Sequence, residues 1–113
     1  MPFSSHMDIT DEGIARITLS GDLDASVAAA FKADIEAAAS RGAKRLVLLM
    51  QDLQYMSSAG LRALIFAKQK MGPNTDIYVV GAREPVLETM RMTGFMHSVV
   101  SLPEYDAAAI ETL

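Results

Sequence analysis

The feature that most constrains the fold is an unbroken apolar run near the middle of the chain. Leu46-Val47-Leu48-Leu49-Met50 follows two basic residues and shows no alternation of apolar and polar side chains. A strand with such a run is buried on both faces, which is typical of a central strand in a parallel sheet covered by helices. The sequence therefore predicts an α/β protein built around a strand at residues 45–50.

Two strands are predicted before this run. Residues 14–19 alternate apolar and polar side chains, which is the period of a half-buried strand. A shorter strand around residues 7–9 can pair with it through a hairpin turn at Asp11-Glu12-Gly13. Residues 1–6 are either native sequence or a disordered or vector-derived stretch, because Ser5-His6-Met7 resembles a vector scar. We assign no function to them.

Helical patterns alternate with the remaining strands. An alanine-rich helix is predicted at residues 25–41, with Asp24 able to cap its first turn and Gly42 following its last. A loop at residues 51–55 leads to a second helix that ends near Gly72. The remaining elements are a strand at 77–81, a helix at 84–93, a short strand at 99–100 and a terminal helix at 103–113. This alternation indicates one α/β domain over residues 1–113.

Composition excludes several classes of function. The 113 residues include no cysteine, so thiol catalysis, thiolate metal sites and disulfides are excluded. A net charge of −4 offers no strongly basic face for nucleic acid. No apolar run reaches the roughly 18 residues of a membrane span, and no secretory signal is present, so we expect a cytoplasmic protein. The apolar composition leaves room for a weak homodimer.

Candidate catalytic and metal-ligating residues are few. Asp22 and Asp24 form a D-x-D pair that could hold Mg²⁺ with a third carboxylate, but capping explains Asp24. His6 and His97 are the only histidines, and a metal site would need both together. Ser58 and His97 lack the G-x-S-x-G context of many serine hydrolases. We therefore predict no metal, no cofactor and no catalytic residue.

Two adjacent hydroxyls, Ser57 and Ser58, open the predicted second helix. One of them is expected to cap the backbone N–H groups. A helix N-terminus also stabilises an added phosphate, which brings about −1.5 to −2 charge without melting the helix.

Most of the eight methionines are expected in the core. Tyr55 and Met56, just before the serines, could instead form a small exposed apolar rim.

Four segments together resemble the STAS domain of the anti-sigma factor antagonist type. Each segment is weak alone, but their order and spacing are specific over nearly the whole chain. They are Leu19-Ser20-Gly21-Asp22-Leu23-Asp24, residues 46–53, Tyr55-Met56-Ser57-Ser58-Ala59-Gly60-Leu61, and Val79-Val80-Gly81 followed by Val86-Leu87 and Thr93-Gly94-Phe95. The resemblance implies a STAS-like α/β fold with a mixed sheet of four to five strands and about four helices packed mainly on one side.

The resemblance also implies a regulatory binding protein rather than an enzyme. Ser58 matches the serine that an anti-sigma factor, itself an ATP-dependent serine kinase, phosphorylates in this family. The unphosphorylated antagonist binds that kinase and frees the sigma factor, the phosphorylated form is released, and a PP2C-type phosphatase resets it. Ser57 stands where the family commonly has Asp. It is therefore a second acceptor, or it marks weaker kinase recognition or a member that is not switched in the usual way.

The docking surface implied by the resemblance is the start of the second helix together with the loop before the first. Asp22 and Asp24 match the family motif, whereas Arg62 stands where the family often has Gly and could pair with a phosphate or an acidic partner. The full predicted surface is Asp22, Asp24, Ser26, Tyr55, Met56, Ser57, Ser58, Ala59, Gly60 and Arg62.

Two alternatives for the function remain: an unswitched scaffold or regulator of a non-sigma target, and a small nucleotide-binding protein or enzyme.

Overall fold

Five strands form one mixed sheet, in the order in which they occur along the chain, in the computed structural model, which describes residues 2–112. Strand β1 (Ser4–Ile9) is antiparallel to β2 (Ile14–Leu23), and β2 is parallel to β3 (Arg45–Met56). Strands β4 (Asp76–Val80) and β5 (Val100–Leu102) continue the parallel part. The predicted α/β class and mixed sheet are confirmed.

Each parallel connection carries a helix, because parallel neighbours require a crossover segment. Helix α1 (Ala28–Ser40) joins β2 to β3, and α2 (Ser58–Met71) joins β3 to β4. Helix α3 (Glu84–Met92) and a 3₁₀ turn at Phe95–Ser98 join β4 to β5, and α4 (Ala107–Ile110) follows β5. Among the described residues, no helix is long and apolar enough to cross a membrane.

The main core lies between one face of the sheet and helices α1, α2 and α3. Leu46, Leu48 and Met50 of β3 are fully buried there, whereas Val47 points to the opposite face. That second face is covered by Ile110 of α4. The apolar run that dominated the sequence is thus explained, since β3 has a packed layer on both sides.

The predicted loop at residues 51–55 is wrong, because β3 continues to Met56. Its second half pairs with the end of β2, from Ser20 opposite Asp52 to Leu23 opposite Met56. The register shifts twice along this stretch, and at each shift β3 advances one residue more than β2. Such bulges increase the local bend of a strand. The polar side chains of this segment are typical of a loop, but backbone pairing with β2 makes it a strand.

Helix α1 begins at Ala28 rather than at residue 25, and the prediction that Asp24 caps it is wrong. Val27 occupies the N-cap position and has no polar side-chain atom. The Asp24 carboxylate instead accepts hydrogen bonds from Ser26 N–H (2.9 Å) and Oγ–H (2.6 Å), closing a turn before the helix. The helix end matches prediction, since Gly42 follows it in the left-handed region (φ 74°).

Both termini differ from expectation. The terminal helix is only Ala107–Ile110: the Asp106 side chain caps its start, and the Arg45 guanidinium donates to the carbonyls of Ala109 (3.1 Å) and Ile110 (2.8 Å) at its end. At the other end β1 begins at Ser4, so residues 4–6 belong to the sheet, and Ser5 Oγ donates to the Asp34 carboxylate on α1. Met1 and Leu113 lie outside the described residues.

Candidate functional site

The loop before α1 and the start of α2 lie side by side at the carboxyl edge of the sheet. Pairing of β2 with β3 places Asp22 opposite Tyr55 and Leu23 opposite Met56. The N–H of Ser57 then donates to the carbonyl of Leu23 at 2.9 Å. The two segments that the sequence linked to partner binding are therefore joined by backbone hydrogen bonds.

The two serines at the start of α2 occupy different positions. Ser57 is the N-cap: its Oγ accepts from the N–H of Gly60 (3.2 Å), and its carbonyl accepts from the N–H of Leu61 (3.0 Å). The expectation that one serine caps the helix is confirmed for Ser57. Ser58 is the first residue of the helix, and its side chain is exposed. A group attached to Ser58 would thus extend into solvent beside the first helical turn.

Gly60 determines how closely α2 approaches β2. It is buried, and a Cβ atom there would lie 2.8 Å from Leu23 Cγ and 2.9 Å from the Leu23 carbonyl oxygen. The contact with backbone leaves no simple rearrangement. Gly60 is therefore a packing residue that supports the predicted surface from beneath.

Tyr55 and Met56 are not equivalent, although they are neighbours. Tyr55 is 51% exposed, but Met56 is only 2% exposed and packs in the main core. The expectation of an exposed Met56 is wrong because β3 extends to this residue, and successive side chains of a strand point to opposite faces. Ala59 is half-buried, and Arg62 is exposed on α2.

The acidic side of the site includes a turn closed by the Asp24 carboxylate. The hydrogen bonds from Ser26, the side-chain bond first, lower the pKa of Asp24 below its ordinary value. Asp22 is half-buried on β2 beside Tyr55. No group of three or more His, Cys, Asp or Glu side chains that could hold a metal ion occurs within residues 2–112.

A surface groove of about 330 Å³ opens beside Ser58. One wall and the floor come from the end of β3 and the start of α2, and the other wall comes from α3. None of the side chains that line it is charged. They are Tyr55, Met56, Ser57, Ser58 and Leu61, with Thr89 and Met92 on α3 and Thr93 at its C-cap.

The contribution of α3 to this groove was missed by the sequence analysis. Met92 is 78% exposed, whereas Met90, two residues earlier, is fully buried. Two residues correspond to about 200° around a helix, so Met92 lies away from the apolar face that Met90 shares with Val86. An apolar residue placed off the buried face was the signal in the sequence that could have identified this wall.

The comparison with protein families decides the identity of the fold. The model of the STAS domain matches residues 7–108. The chain belongs to the STAS domain family. The predicted resemblance is therefore confirmed over nearly the whole described sequence.

Relatives of this STAS domain include proteins known as anti-sigma factor antagonists. BtrV of Bordetella bronchiseptica, whose name describes such an antagonist, is 31% identical over 104 residues, which cover 89% of this chain and 90% of BtrV. The structure of an anti-sigma factor antagonist from Mycobacterium paratuberculosis superposes with a TM-score of 0.87 at 22% identity, covering 98% of this chain and 96% of that one.

SpoIIAA, another anti-sigma factor antagonist, shares the fold in two chemical states. Its unphosphorylated form has a TM-score of 0.80 at 16% identity, covering 96% of this chain and 94% of SpoIIAA. The phosphorylated form, from Bacillus, has a TM-score of 0.73 at 15% identity, covering 96% and 97%. At these identities the likeness shows the fold, and the same fold is found with and without phosphate.

Proposed function

We propose that this STAS domain is the anti-sigma factor antagonist of a phosphorylation-controlled partner switch. The unphosphorylated protein binds an anti-sigma factor that is also a serine kinase, and phosphorylation of Ser58 releases it. A PP2C-type phosphatase removes the phosphate and resets the switch. In this proposal the protein is a binding module rather than an enzyme. It acts in the cytoplasm, where the partner kinase uses ATP. The relationship to BtrV supports this function.

The observation that carries the proposal is the position of Ser58. Its side chain is exposed on the first residue of α2, while Ser57 already caps the helix. In the reaction, the γ-phosphoryl group of ATP passes to Ser58 Oγ, the hydroxyl proton goes to a base on the kinase, and ADP leaves. The phosphate then lies near the helix N–H groups and the positive end of the helix dipole, which stabilise it.

The same modification would weaken binding to the partner. It places about −1.5 to −2 charge beside a groove that no charged side chain lines. A charge buried at an interface without a partner costs several kcal/mol, and each 1.4 kcal/mol is about a factor of ten in affinity. Phosphorylation can therefore reduce affinity a hundredfold or more without a change of fold.

The choice of Ser58 over Ser57 rests on the capping hydrogen bond. Ser57 is half-buried and its Oγ accepts from the N–H of Gly60, so a kinase would have to break this cap to use the hydroxyl. We expect Ser58→Ala to abolish phosphate transfer and Ser57→Ala to retain it. Mass spectrometry after incubation with the kinase and ATP checks this. Transfer that survives Ser58→Ala and disappears in Ser57→Ala would reverse the assignment.

The test of the whole proposal is capture from native lysate with three baits: the wild type, Ser58→Asp, and Ser101→Asp as a matched control. Ser101 is an exposed serine on β5, which is separated from β3 by β4 in the sheet. We expect a serine kinase on wild type and Ser101→Asp but not on Ser58→Asp. Equal capture by all three baits would instead indicate an unswitched scaffold. Absence of any such kinase from the wild-type bait would reject the proposed function.

A further inference from the structure

Exposed apolar side chains are concentrated beside Ser58. Across residues 2–112, the large apolar side chains that are exposed are Tyr55, Ile65, Met92 and Val100. Two of them, Tyr55 and Met92, line the same groove. They come from different elements, β3 and α3, so local sequence alone does not account for their meeting. Two exposed apolar side chains that meet in one groove, a Tyr and a Met, offer a partner the kind of contact that is enriched in interfaces.

The chemistry of the groove selects an apolar occupant. Its lining includes Met56 and Leu61, which are buried, and the polar side chains that line it are those of hydroxyl residues. An ionised ligand would find no opposite charge among the lining side chains. Tyr and Met are enriched in interfaces, and an unbranched Met adapts its shape to an incoming side chain.

The position of the groove selects the protein that supplies this side chain. Ser57 and Ser58 form one part of its lining, so the groove is continuous with the proposed phosphorylation site. A kinase that brings ATP to Ser58 must cover the surface around it. We propose that an uncharged, apolar side chain of the kinase-type anti-sigma factor enters this groove, anchored between Tyr55 and Met92. This inference rests on the proposed function and adds the contact that holds the partner.

The arrangement links anchoring to release. The apolar side chain of the partner gains its binding energy by leaving water for a groove without charge. Phosphate on Ser58 places a strongly hydrated group at the edge of that groove. Closing the interface would then require the phosphate to lose water beside groove side chains that carry no opposite charge, so the partner dissociates.

The test measures the affinity of the purified kinase identified by the capture experiment. We expect Met92→Ala and Tyr55→Ala each to weaken binding by about tenfold or more, as for anchors at an interface centre. Met92→Leu, which keeps an apolar side chain of similar size, should stay within about threefold of wild type. Ile65→Ala is the matched control, since Ile65 is exposed on α2 but does not line the groove.

Two outcomes separate this inference from the function on which it rests. If the kinase binds the wild type and not Ser58→Asp, but binds Met92→Ala and Tyr55→Ala with wild-type affinity, the groove is not the anchor and the partner switch stands. If no kinase binds the wild type, the switch fails and the groove has no such occupant. Thermal unfolding of each variant checks its fold, and Met92→Gln provides a second variant with a side chain of similar length.

Discussion

Helices α1 and α2 begin next to each other at the same edge of the sheet, yet their first turns are built differently. The start of α2 is held by the Ser57 cap and by Gly60 pressed against Leu23. The start of α1 has Val27 at its N-cap, and the nearby Asp24 carboxylate bonds within its own turn. A helix start fixed by a cap and by close packing can receive a charged group without moving, which is what a switch at Ser58 requires.

The third residue of each helix shows the difference between the two first turns. The third helical residue is Ala30 in α1, where it is exposed, and Gly60 in α2, where it is buried. Alanine is the better helix former, so helix propensity alone would favour it at both positions. The glycine in α2 therefore reflects the approach of another part of the chain, which can be tested by exchanging the two residue types.

The largest effect is expected for Gly60→Ala. The new methyl group would overlap Leu23 Cγ and the Leu23 carbonyl oxygen at less than 3 Å. We expect a loss of about 1–3 kcal/mol in the free energy of unfolding, because overpacking outweighs the gain in helix propensity. Urea unfolding measures this loss. A more stable Gly60→Ala variant would mean that α2 does not approach β2 as closely as described.

The opposite exchange, Ala30→Gly, is the control at the start of α1. No close packing is relieved there because Ala30 is exposed. The expected loss is about 0.5–1 kcal/mol, the usual cost of glycine within a helix. The two variants thus destabilise for different reasons, although one adds a methyl group and the other removes it.

Loss of the cap on α2 is expected to have the next largest effect. Ser57→Ala removes the acceptor of the Gly60 N–H, so we expect a loss of about 1 kcal/mol in urea unfolding. Ser57→Asp restores an acceptor and should remain within about 0.5 kcal/mol of wild type. Asp24→Ala, before α1, should cost less than Ser57→Ala because its carboxylate is not the helix cap. Equal losses for Asp24→Ala and Ser57→Ala would contradict the contrast between the two helix starts.

A negative charge in the first turn should stabilise both α1 and α2, but only the charge on α2 should weaken binding of the partner. Ser58→Asp and Ala29→Asp each place a carboxylate in the first turn, at positions that are exposed in the wild type. At low ionic strength each is expected to add about 0.3–1 kcal/mol, and the gain should shrink in high salt. If Ser58→Asp instead lowered the unfolding midpoint, its failure to bind a partner could be ascribed to damage to the fold.

The central strand could be predicted from local sequence because its apolar run records burial on both faces. The second half of β3 could not, since Gln51, Asp52 and Gln54 interrupt the apolar pattern. What holds that half is pairing with residues 20–23 of β2, far away in the sequence. Local patterns report the environment of each side chain, but they do not report which distant backbone supplies the hydrogen bonds.

The candidate site divides in the same way. A serine cap at the start of α2 was predictable, because capping needs only residues within one turn. The wall that Met92 contributes was not, because α3 lies beside the start of α2 only through the packing of both helices on the sheet. The same long-range packing decides that Met56 is buried while Tyr55 is exposed. The serine cap on α2 was predicted correctly, the Asp24 cap on α1 was wrong, and the shape of the surface around the serines was not predicted.

The smallest effect concerns the turn before α1. Hydrogen bonds from Ser26 favour the Asp24 carboxylate and hold its pKa below the ordinary value of 3.8. A lowered pKa in the folded state means that this contribution to stability is present above pH 3.8 and is lost as the pH falls through the folded-state pKa.

We expect Ser26→Ala to raise the Asp24 pKa only part of the way to 3.8, because the backbone N–H of residue 26 still donates. An NMR titration of the carboxyl carbons measures the shift, with Glu84, whose pKa is lowered by Arg91, as an internal control that should not change. An unchanged Asp24 pKa would show that the Ser26 hydroxyl does not hold this turn, which would then rest on the backbone N–H of Ser26 alone among the Ser26 donors, still in contrast to the side-chain cap at the start of α2.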